Sequence, residues 1–252
     1  MSSSRSVSIP SPRRVAASVL ALTVGAALLA GCDSKEPETP LTSLVVGSSS
    51  VPDGFTVVPA NVEDLISANR STLEQAASVA FTPPECAPTA DAKFNPALTT
   101  DNTVLLVAQS DSATLSEVVS TVRRDIDADR RVSTGVCRVV TAVPSTGTLA
   151  GARIVTTSTE LSSPTGKAVE QALVVRQDTV TTLAAGGGVR TRSSLLSNVL
   201  VRRPSGEVVT VQLNVGSSGD QVTQAQSGPI SPPIPESEYT RLVQQAVDSA
   251  AR

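Results

Sequence analysis

Apolar and polar residues alternate along much of the second half of the chain, and this period of two predicts β-strands. Valine, threonine and leucine dominate the four segments with this pattern, which are residues 153 to 161, 169 to 180, 194 to 203 and 207 to 215. Such alternation is typical of antiparallel strands that bury one face. The turn residues Pro204, Ser205 and Gly206 separate the last two segments, so we expect these segments to form a hairpin.

Helical spacing of apolar residues occurs in two other places. The first begins after Asn61, a residue type that favours the N-cap position, and we expect this helix to end before Pro83 and Pro84. The second is a C-terminal stripe formed by Tyr239, Leu242, Val243, Ala246, Val247 and Ala250. Together these elements predict an α+β domain in which helices pack on one face of an antiparallel β-sheet.

The pattern of apolar residues in the middle of the chain is compatible with more than one assignment of secondary structure. Residues 103 to 109 form an aliphatic run that suits a buried strand, whereas residues 114 to 122 suit either a partner strand or a second helix. We expect residues 126 to 137 to form a helix that leads into a strand over residues 136 to 143. The three glycines at positions 186 to 188 indicate a hairpin connection, because no Lys-Ser or Lys-Thr follows to complete a phosphate loop.

The first 31 residues have the layout of a signal peptide. Arg5, Arg13 and Arg14 precede an uncharged run, residues 15 to 30, that is rich in alanine, leucine and valine. This run is shorter than the roughly 18 residues that a stable membrane span requires, and it ends at small residues. Cleavage of the segment is therefore favoured over membrane spanning.

The end of this segment predicts a lipid anchor. Leu29, Ala30, Gly31 and Cys32 resemble the lipobox of bacterial lipoproteins. The resemblance implies cleavage between Gly31 and Cys32, and acylation of Cys32 as the mature N-terminus, for example with palmitate. Each buried CH₂ contributes about 0.8 kcal/mol, so two long acyl chains anchor a protein durably. The alternatives are an ordinary secretory signal with an incidental cysteine, or an uncleaved helix.

The remainder of the chain is expected to have two parts. Residues 32 to 50 carry the lipidated cysteine and are rich in serine, proline, threonine and glutamate, a composition typical of a flexible tether. Residues 51 to 252 are long enough to bury one sizeable core, and no shift in composition marks a second boundary. We therefore expect a single α+β extracytoplasmic domain after the tether.

Charge and aromatic content exclude several binding functions. Residues 1 to 31 hold three of the 20 Lys and Arg and none of the 23 Asp and Glu, which leaves 17 against 23 and a formal charge of −6. A nucleic-acid or other polyanion partner is disfavoured by that balance. Aromatic residues are 2% of the chain and tryptophan is absent, so stacking platforms for sugars or bases are not expected.

Two cysteines remain once Cys32 is assigned to the lipid. Cys86 and Cys137 are an even pair in an oxidising compartment, and we expect them to form a disulfide. The alternative is a pair of free or metal-binding thiols. It has little support, because the chain contains no histidine and no C-x-x-C spacing.

Candidate catalytic and metal-binding motifs are incomplete. Asp125, Asp127 and Asp129 alternate as at the start of a calcium loop, but Arg130 stands where the turn glycine is needed and Val136 where the bidentate glutamate is needed. We interpret this stretch as a solvated face with i to i+4 ion pairs, and expect no metal and no cofactor. Without histidine, Ser-His and Cys-His catalysis are excluded, which leaves carboxylate-only hydrolysis as a third alternative function.

The order of motifs resembles a known group of proteins. The lipobox, a polar tether, Pro-Asp-Gly-Phe at 52 to 55, a helix, Pro-Pro-Glu-Cys-Ala at 83 to 87, a second cysteine about fifty residues on and a final helix resemble a family of actinobacterial lipoproteins of unknown function. More distantly, residues 51 to 250 resemble the extracytoplasmic sensor domain of mycobacterial PknH-type serine/threonine kinases. The resemblance implies an α+β domain, a disulfide between Cys86 and Cys137, and a cleft that binds an extracellular ligand. This chain has one available cysteine pair where the kinase sensors have two, and we expect no kinase domain beside it.

Besides carboxylate-only hydrolysis, these observations lead to one main functional hypothesis and one alternative to it. The main hypothesis is a non-enzymatic lipoprotein on the extracytoplasmic face of the cell membrane, with a sensor-like domain that binds a small apolar or lipid-like ligand, or an envelope protein. It predicts a closed-ended, mostly aliphatic cavity between the sheet and the helices. The alternative is a structural or assembly factor of the cell envelope, which would act through an exposed apolar patch.

Overall fold

The computed structural model describes residues 39 to 186, 188 to 218, 221 to 223 and 229 to 252, and within them ten strands form one antiparallel sheet. Nine strands lie in the order β1-β3-β4-β9-β8-β7-β6-β5-β2, and β10 pairs with the beginning of β8. The strands are β1 (Thr56–Val58), β2 (Val79–Thr82), β3 (Thr103–Gln109), β4 (Ala113–Ser120), β5 (Val139–Pro144), β6 (Arg153–Glu160), β7 (Val169–Thr182), β8 (Val189–Arg202), β9 (Val208–Ser217) and β10 (Gln221–Thr223).

Three α-helices lie in connections between strands, and the fourth follows the last strand. They are α1 (Val62–Ala76), α2 (Ala90–Phe94), α3 (Ile126–Arg131) and α4 (Glu236–Ala250). Short 3₁₀ helices include Leu41–Ser43, Ser48–Ser50, Pro84–Cys86, Asn95–Ala97, Gly135–Arg138 and Ala184–Gly186. The α+β class, the antiparallel sheet and the disulfide between Cys86 and Cys137 are all confirmed. All of the described residues belong to one compact unit, Pro37–Arg252.

One face of the sheet, which we call the packed face, holds the main core. The odd-numbered residues of β8 and β9 point to this face, because side chains alternate along a strand. Their buried members pack against the apolar stripe of α4, as the helical spacing predicted. Tyr239 is fully buried in this core, and its hydroxyl donates a hydrogen bond to the Leu213 carbonyl oxygen at 2.8 Å. The buried residues of β8, β9 and α4 in this core include Leu195, Val199, Val209, Val211, Val215, Leu242, Val243 and Ala246.

The opposite face, which we call the cleft face, carries the even-numbered residues of β8 and β9 and is only partly covered. The short helix α3 lies here, and its residue Ile126 packs with Leu173, Val175 and Leu200 in a second, smaller core. Helix α1 also lies on this side, where Leu65 borders a cavity with residues of β4, β8 and β9. Helices therefore contact both faces of the sheet, so the expectation that they pack on one face is wrong; the long C-terminal helix α4 lies on the packed face, and α1 and α3 lie on the cleft face.

The first half of the chain differs from the predicted boundaries. Helix α1 ends at Ala76, and residues 79 to 82 form strand β2 instead of its last turn. Valine, phenylalanine and threonine in this segment favour a strand, and β2 pairs with β5, where Phe81 lies opposite Ala142. Of the two readings of residues 114 to 122, the strand is confirmed as β4. The helix expected over residues 126 to 137 is shorter, because α3 ends at Arg131.

The predicted turns in the second half are confirmed. β8 and β9 form a hairpin in which Arg202 lies opposite Val208, and the turn places Gly206 at φ 89°. This left-handed conformation is one that glycine adopts without steric cost. Gly186 and Gly188 lie in the connection between the paired strands β7 and β8, as expected for a hairpin.

The folded domain begins earlier than the predicted tether allows. Leu44 and Val46 are buried in the main core at 0% and 2% exposure, so the part of the tether prediction that covers residues 41 to 50 is wrong. The reason is a long-range contact: the Val46 backbone N–H donates to Glu117 Oε2 at 2.9 Å, which fixes this segment to β4. The predicted tether over residues 32 to 38, the signal peptide and the lipid site Cys32 lie outside the described residues.

Glu117 is a carboxylic acid inside the main core. It lies between Leu106 and Leu213 on neighbouring strands, is fully buried, and leaves Oε1 without a hydrogen-bond partner. Burial raises the pKa of Glu117 to about 7, although the hydrogen bond from Val46 works in the opposite direction. A raised pKa means that the folded state holds this proton more tightly than the unfolded state does.

We expect the free energy of unfolding to fall as the pH rises from about 4.5 through about 7, the unfolded and folded pKa values of Glu117. The contribution is fully present below the lower value and is lost above the higher one. At 1.36 kcal/mol per pKa unit the loss is about 3 kcal/mol. Urea unfolding of Glu117→Gln at pH 5 and pH 8 should show most of this fall removed, whereas the exposed control Glu74→Gln should keep it. Equal pH dependence in both variants would contradict the assignment.

Candidate functional site

Three adjoining cavities form a cleft across the cleft face of the sheet. Their volumes are about 570, 290 and 240 Å³. Thr156 lines the first two cavities, while Arg124 and Asn198 line the last two. Because neighbouring cavities share wall residues, we treat them as one cleft with an outer end at the 570 Å³ cavity.

The central part of the cleft is built around Arg124, which follows β4 and precedes α3. Its side chain is 5% exposed, and Nε and Nη2 donate to the two carboxylate oxygens of Asp129 at 2.6 and 2.8 Å. Nη2 also donates to Asp91 Oδ1 at 2.7 Å, and the guanidinium carbon lies 5.2 Å from the centre of the Phe94 ring. One guanidinium therefore joins the α2 region to α3.

The polar cluster continues onto the strands. Asn198 on β8 donates from Nδ2 to Asp129 Oδ2 at 2.9 Å, and Gln212 on β9 donates from Nε2 to Asn198 Oδ1 at 2.8 Å. The Arg124 backbone N–H donates to the Thr210 hydroxyl at 3.1 Å. These bonds tie the loop before α3 to the sheet, so the floor of the cleft is held by hydrogen bonds as well as by packing.

Burial and neighbouring charges shift the pKa values of Asp129 and Arg124 in opposite directions. Burial raises the pKa of Asp129, and the hydrogen bonds and charge of Arg124 only partly oppose this. For Arg124, burial acts to lower the pKa, but hydrogen bonds and charges from Asp129 and Asp91 outweigh it, so the pKa is raised. Arg124 therefore stays cationic and holds both carboxylates, which makes the cluster a structural support of the cleft floor.

The walls of the 290 Å³ cavity are mixed rather than purely aliphatic. Val140, Leu173, Val175 and Leu196 contribute apolar surface, but Arg124 lies in the same wall with several polar residues. The closed, mostly aliphatic cavity that we expected from the sequence is contradicted at the 570 Å³ cavity, whose lining residues are mostly threonine, arginine, serine and asparagine. The physical reason is that most apolar positions of β8 and β9 face α4 on the packed side, which leaves mainly polar residues of these strands to line the cleft.

The predicted disulfide contributes to the same wall. The Cys86 and Cys137 Cα atoms lie 5.4 Å apart in a bond that closes 51 positions of sequence, and both residues are buried. Cys86 lines the 290 Å³ cavity, so the bridge holds the segment after β2 against the segment before β5 at the cleft. The prediction of this pair is confirmed, whereas Gly31 and Cys32 lie outside the described residues.

The aspartates of the calcium-like stretch do not converge. Asp125 caps α3 by accepting from the Ala128 N–H at 2.8 Å, and Asp127 accepts from Gln171 Nε2 at 3.4 Å. Both are exposed, in agreement with a solvated face, but that interpretation is wrong for Asp129, which is buried against Arg124. Among the described residues no three candidate ligand side chains gather closely enough to hold a metal ion.

Three arginines of the cleft were missed from the sequence. Arg124 directly precedes the stretch that we interpreted as a solvated face, and its burial depends on Asp91, which is 33 positions earlier. Arg190 and Arg192 line the 570 Å³ cavity but precede residue 194, where we placed the start of the strand. The available signal was the alternation of Val189, Arg190, Thr191 and Arg192, which puts both arginines on one face of an extended β8.

Comparisons with known proteins add no relative. A scan against protein-family models, a search of curated proteins and a search of solved structures each found no match to this chain. The resemblance to actinobacterial lipoproteins and to kinase sensor domains therefore stays a prediction. Within the described ranges, every helix is too short or too polar to cross a lipid bilayer.

Proposed function

We propose that this chain is an exported lipoprotein, held at the extracytoplasmic face of the cell membrane by lipid on Cys32, whose domain binds a small ligand without catalysing a reaction. The observation that carries the binding part is the cleft itself: adjoining cavities of about 570, 290 and 240 Å³ lie on one face of the sheet. The other face is packed against α4. Pockets of several hundred Å³ with a few placed polar groups are typical of small-molecule sites.

The export part rests on the sequence of the first 32 residues and is supported by the disulfide. Basic residues, an uncharged run and the lipobox-like Leu29 to Cys32 occur in the order that lipoprotein signals require. The Cys86–Cys137 bridge agrees with an oxidising compartment outside the cytoplasm, where such bonds persist.

The absence of catalysis in this proposal rests on how the cleft's ionisable groups are used. Asp91 and Asp129 both accept hydrogen bonds from Arg124, so neither faces a substrate position as a free acid or base. The Asp91 side chain is 42% exposed, so it lacks the apolar environment that is typical of a carboxylic acid acting as a general acid. The arrangement is that of a structural ion-pair cluster rather than of a carboxylate hydrolase.

An envelope assembly factor is the second candidate, because one apolar patch is exposed. Val139 and Val143 on β5 are 48% and 38% exposed, and Ala80 on β2 lies opposite Val143. These residues lie on the same side of the sheet as α4, which contacts β8 and β9 instead. We prefer ligand binding because two valines and an alanine form a much smaller feature than the cleft.

The binding part is tested by native mass spectrometry of the protein purified from its own host's envelope. Thr156 lies where the 570 and 290 Å³ cavities meet, so Thr156→Trp should fill the junction. The matched control is Thr157→Trp, whose side chain points to the opposite face of β6. We expect a small molecule retained by the wild type and by the control but lost from Thr156→Trp. A wild-type protein that carries no small molecule, or equal retention by both variants, would exclude the cleft as the site.

A further inference from the structure

The outer end of the cleft carries positive charge on a protein that is negative overall. Arg190 and Arg192 are alternate residues of β8, and both line the 570 Å³ cavity. None of the described residues that line this cavity is aspartate or glutamate. The chain as a whole has a formal charge of −3, so the cationic side chain of Arg192 in this cavity is opposite in sign to the net charge of the protein.

The strand register brings hydroxyl groups next to both arginines. Thr156 on β6 lies opposite Thr179 on β7, which in turn lies opposite Arg192. In the neighbouring row Thr181 lies opposite Arg190. Directly opposed residues on one face have Cβ atoms about 4.5–5.5 Å apart. A single ligand can therefore contact a guanidinium and the hydroxyl groups beside it. Ser194 and Asn214 extend this polar surface onto β8 and β9.

Arg192 lies over a gap in the sheet surface that a side chain would fill. A Cβ atom added at Gly216 on β9 would lie 3.3 Å from Arg192 Nη2, closer than most real contacts of this kind. The glycine therefore gives the guanidinium room to extend across β9 along the floor of the cavity.

Arg192 also differs from the arginines that have structural roles. Arg124, Arg176 and Arg203 each hold a carboxylate, on Asp129, Asp178 and Glu207 respectively. Arg192 is exposed and forms no ion pair with any residue that the structure describes. A planar guanidinium with free donors binds carboxylate or phosphate oxygens in a bidentate manner.

We propose that Arg192 binds the anionic group of a polyhydroxylated ligand, a phosphorylated or carboxylated polyol, while the threonine, serine and asparagine side chains of the 570 Å³ cavity bind its hydroxyl groups. This inference rests on the proposed function and names the ligand class of the same cleft. No aromatic side chain lines the cavity among the described residues, so recognition depends on charge and hydrogen bonds rather than on stacking. The same chemistry is present in a free polyol phosphate and in the headgroup of an anionic lipid.

The test is isothermal titration calorimetry of the full chain in detergent solution. The probes are glycerol 3-phosphate and myo-inositol 1-phosphate, each beside its uncharged parent polyol. We expect the phosphorylated probes to bind at least about tenfold more tightly than the parents, because charge-assisted hydrogen bonds are roughly twice as strong as neutral ones. Added salt should weaken binding of the phosphorylated probes and leave the parents unchanged.

Three variants distinguish specific binding at Arg192 from nonspecific electrostatic attraction of anions. Arg192→Ala should weaken the phosphorylated probes at least about tenfold, and Arg192→Lys should give an intermediate loss, since lysine keeps the charge without the planar pair of donors. Arg153→Ala is the matched control, because it removes the same charge from the opposite face of the sheet. Its neighbour on β6, Ile154, lines the cavity, and successive side chains of a strand point to opposite faces. Thermal unfolding of each variant checks folding, which an exposed residue should leave unchanged.

Competition by phosphatidylinositol in the same detergent distinguishes the two sources of the anion. Displacement of the probe at lower concentration than by free inositol phosphate assigns a lipid headgroup, and the reverse order assigns a free polyol phosphate. The proposal is overturned if no probe binds, if the uncharged parents bind equally well, or if Arg192→Ala and Arg153→Ala lose the same affinity. An uncharged molecule retained by the purified protein would reject this anion site while the proposed binding function stands.

Discussion

Arg124→Ala is expected to lower the free energy of unfolding by about 3–5 kcal/mol, because it leaves the buried Asp129 carboxylate without its partner. Asp129 is 7% exposed and takes two hydrogen bonds from Arg124. Burial already raises the pKa of Asp129, so removal of the guanidinium forces the domain either to bury a charge or to protonate the acid. Urea unfolding at neutral pH measures the loss.

Two further variants identify the cause of that loss. Arg123→Ala removes the adjacent arginine, which is 55% exposed and pairs with Glu170 at 2.9 Å, and should change stability by less than about 1 kcal/mol. The double variant Arg124→Met/Asp129→Leu replaces the pair by apolar groups of similar volume and should recover most of the loss. If Arg123→Ala and Arg124→Ala were equally destabilising, the cluster would not be the support of the cleft floor.

Removal of the disulfide by Cys86→Ala/Cys137→Ala is expected to lower the free energy of unfolding by about 4 kcal/mol. In the chain-entropy model the bond restricts the unfolded chain, and the effect grows with the 51 positions of sequence that it closes. The loss is a large fraction of the roughly 5–15 kcal/mol typical of a domain, so a lower unfolding midpoint should be evident in urea.

Reduction of the wild-type protein provides the control for this prediction. Treatment with a thiol reductant should lower the unfolding midpoint of the wild type towards that of the double variant and leave the variant unchanged. A double variant that unfolds at the wild-type urea concentration would show that the bridge contributes nothing to the folded state. Because Cys86 lines the 290 Å³ cavity, the same variant should also bind the retained ligand less tightly.

The second half of the fold was predictable because its signals are local. Strands β6 to β9 carry an alternation of period two, and α4 carries one uninterrupted apolar stripe, so each element specifies its own buried face. The Pro204-Ser205-Gly206 turn fixes the register of β8 and β9 in the same local way. The disulfide followed from counting cysteines, since only two remained after Cys32 was assigned to the predicted lipid site.

The N-terminal boundary and the cleft depend on residues that are distant in sequence. Val46 is bound by Glu117, which is 71 positions later, and nothing in the serine-rich composition around Val46 indicates this partner. Arg124 is buried only because α2 and β8 bring Asp91 and Asn198 to the same cluster. An arginine beside aspartates has the same sequence pattern whether it lies in solvent or in a core. The burial of Arg124 could therefore be determined only from the structure.

The sequence predicted an apolar or lipid-like ligand, whereas the cleft favours an anionic polyol, and the reason is again the arrangement of the strands in space. The abundant aliphatic residues of the chain suggested an aliphatic cavity, but most of those in β8 and β9 face α4 on the packed side. The polar half of the same alternation, which includes Thr179, Arg192 and Asn214, lines the cleft instead. A period of two specifies both faces of a strand, and the face left uncovered by the long helix is the one available to a ligand.

The claim that this domain is presented outside the cytoplasm on a lipid anchor is tested most directly by the mass of the N-terminal peptide of the mature protein. We expect a peptide that begins at Cys32 and carries acyl chains, and a Cys32→Ala variant whose domain is released intact from the membrane fraction. A mature N-terminus elsewhere, an unacylated Cys32, or a Cys32→Ala variant that stays processed and membrane-bound would contradict it.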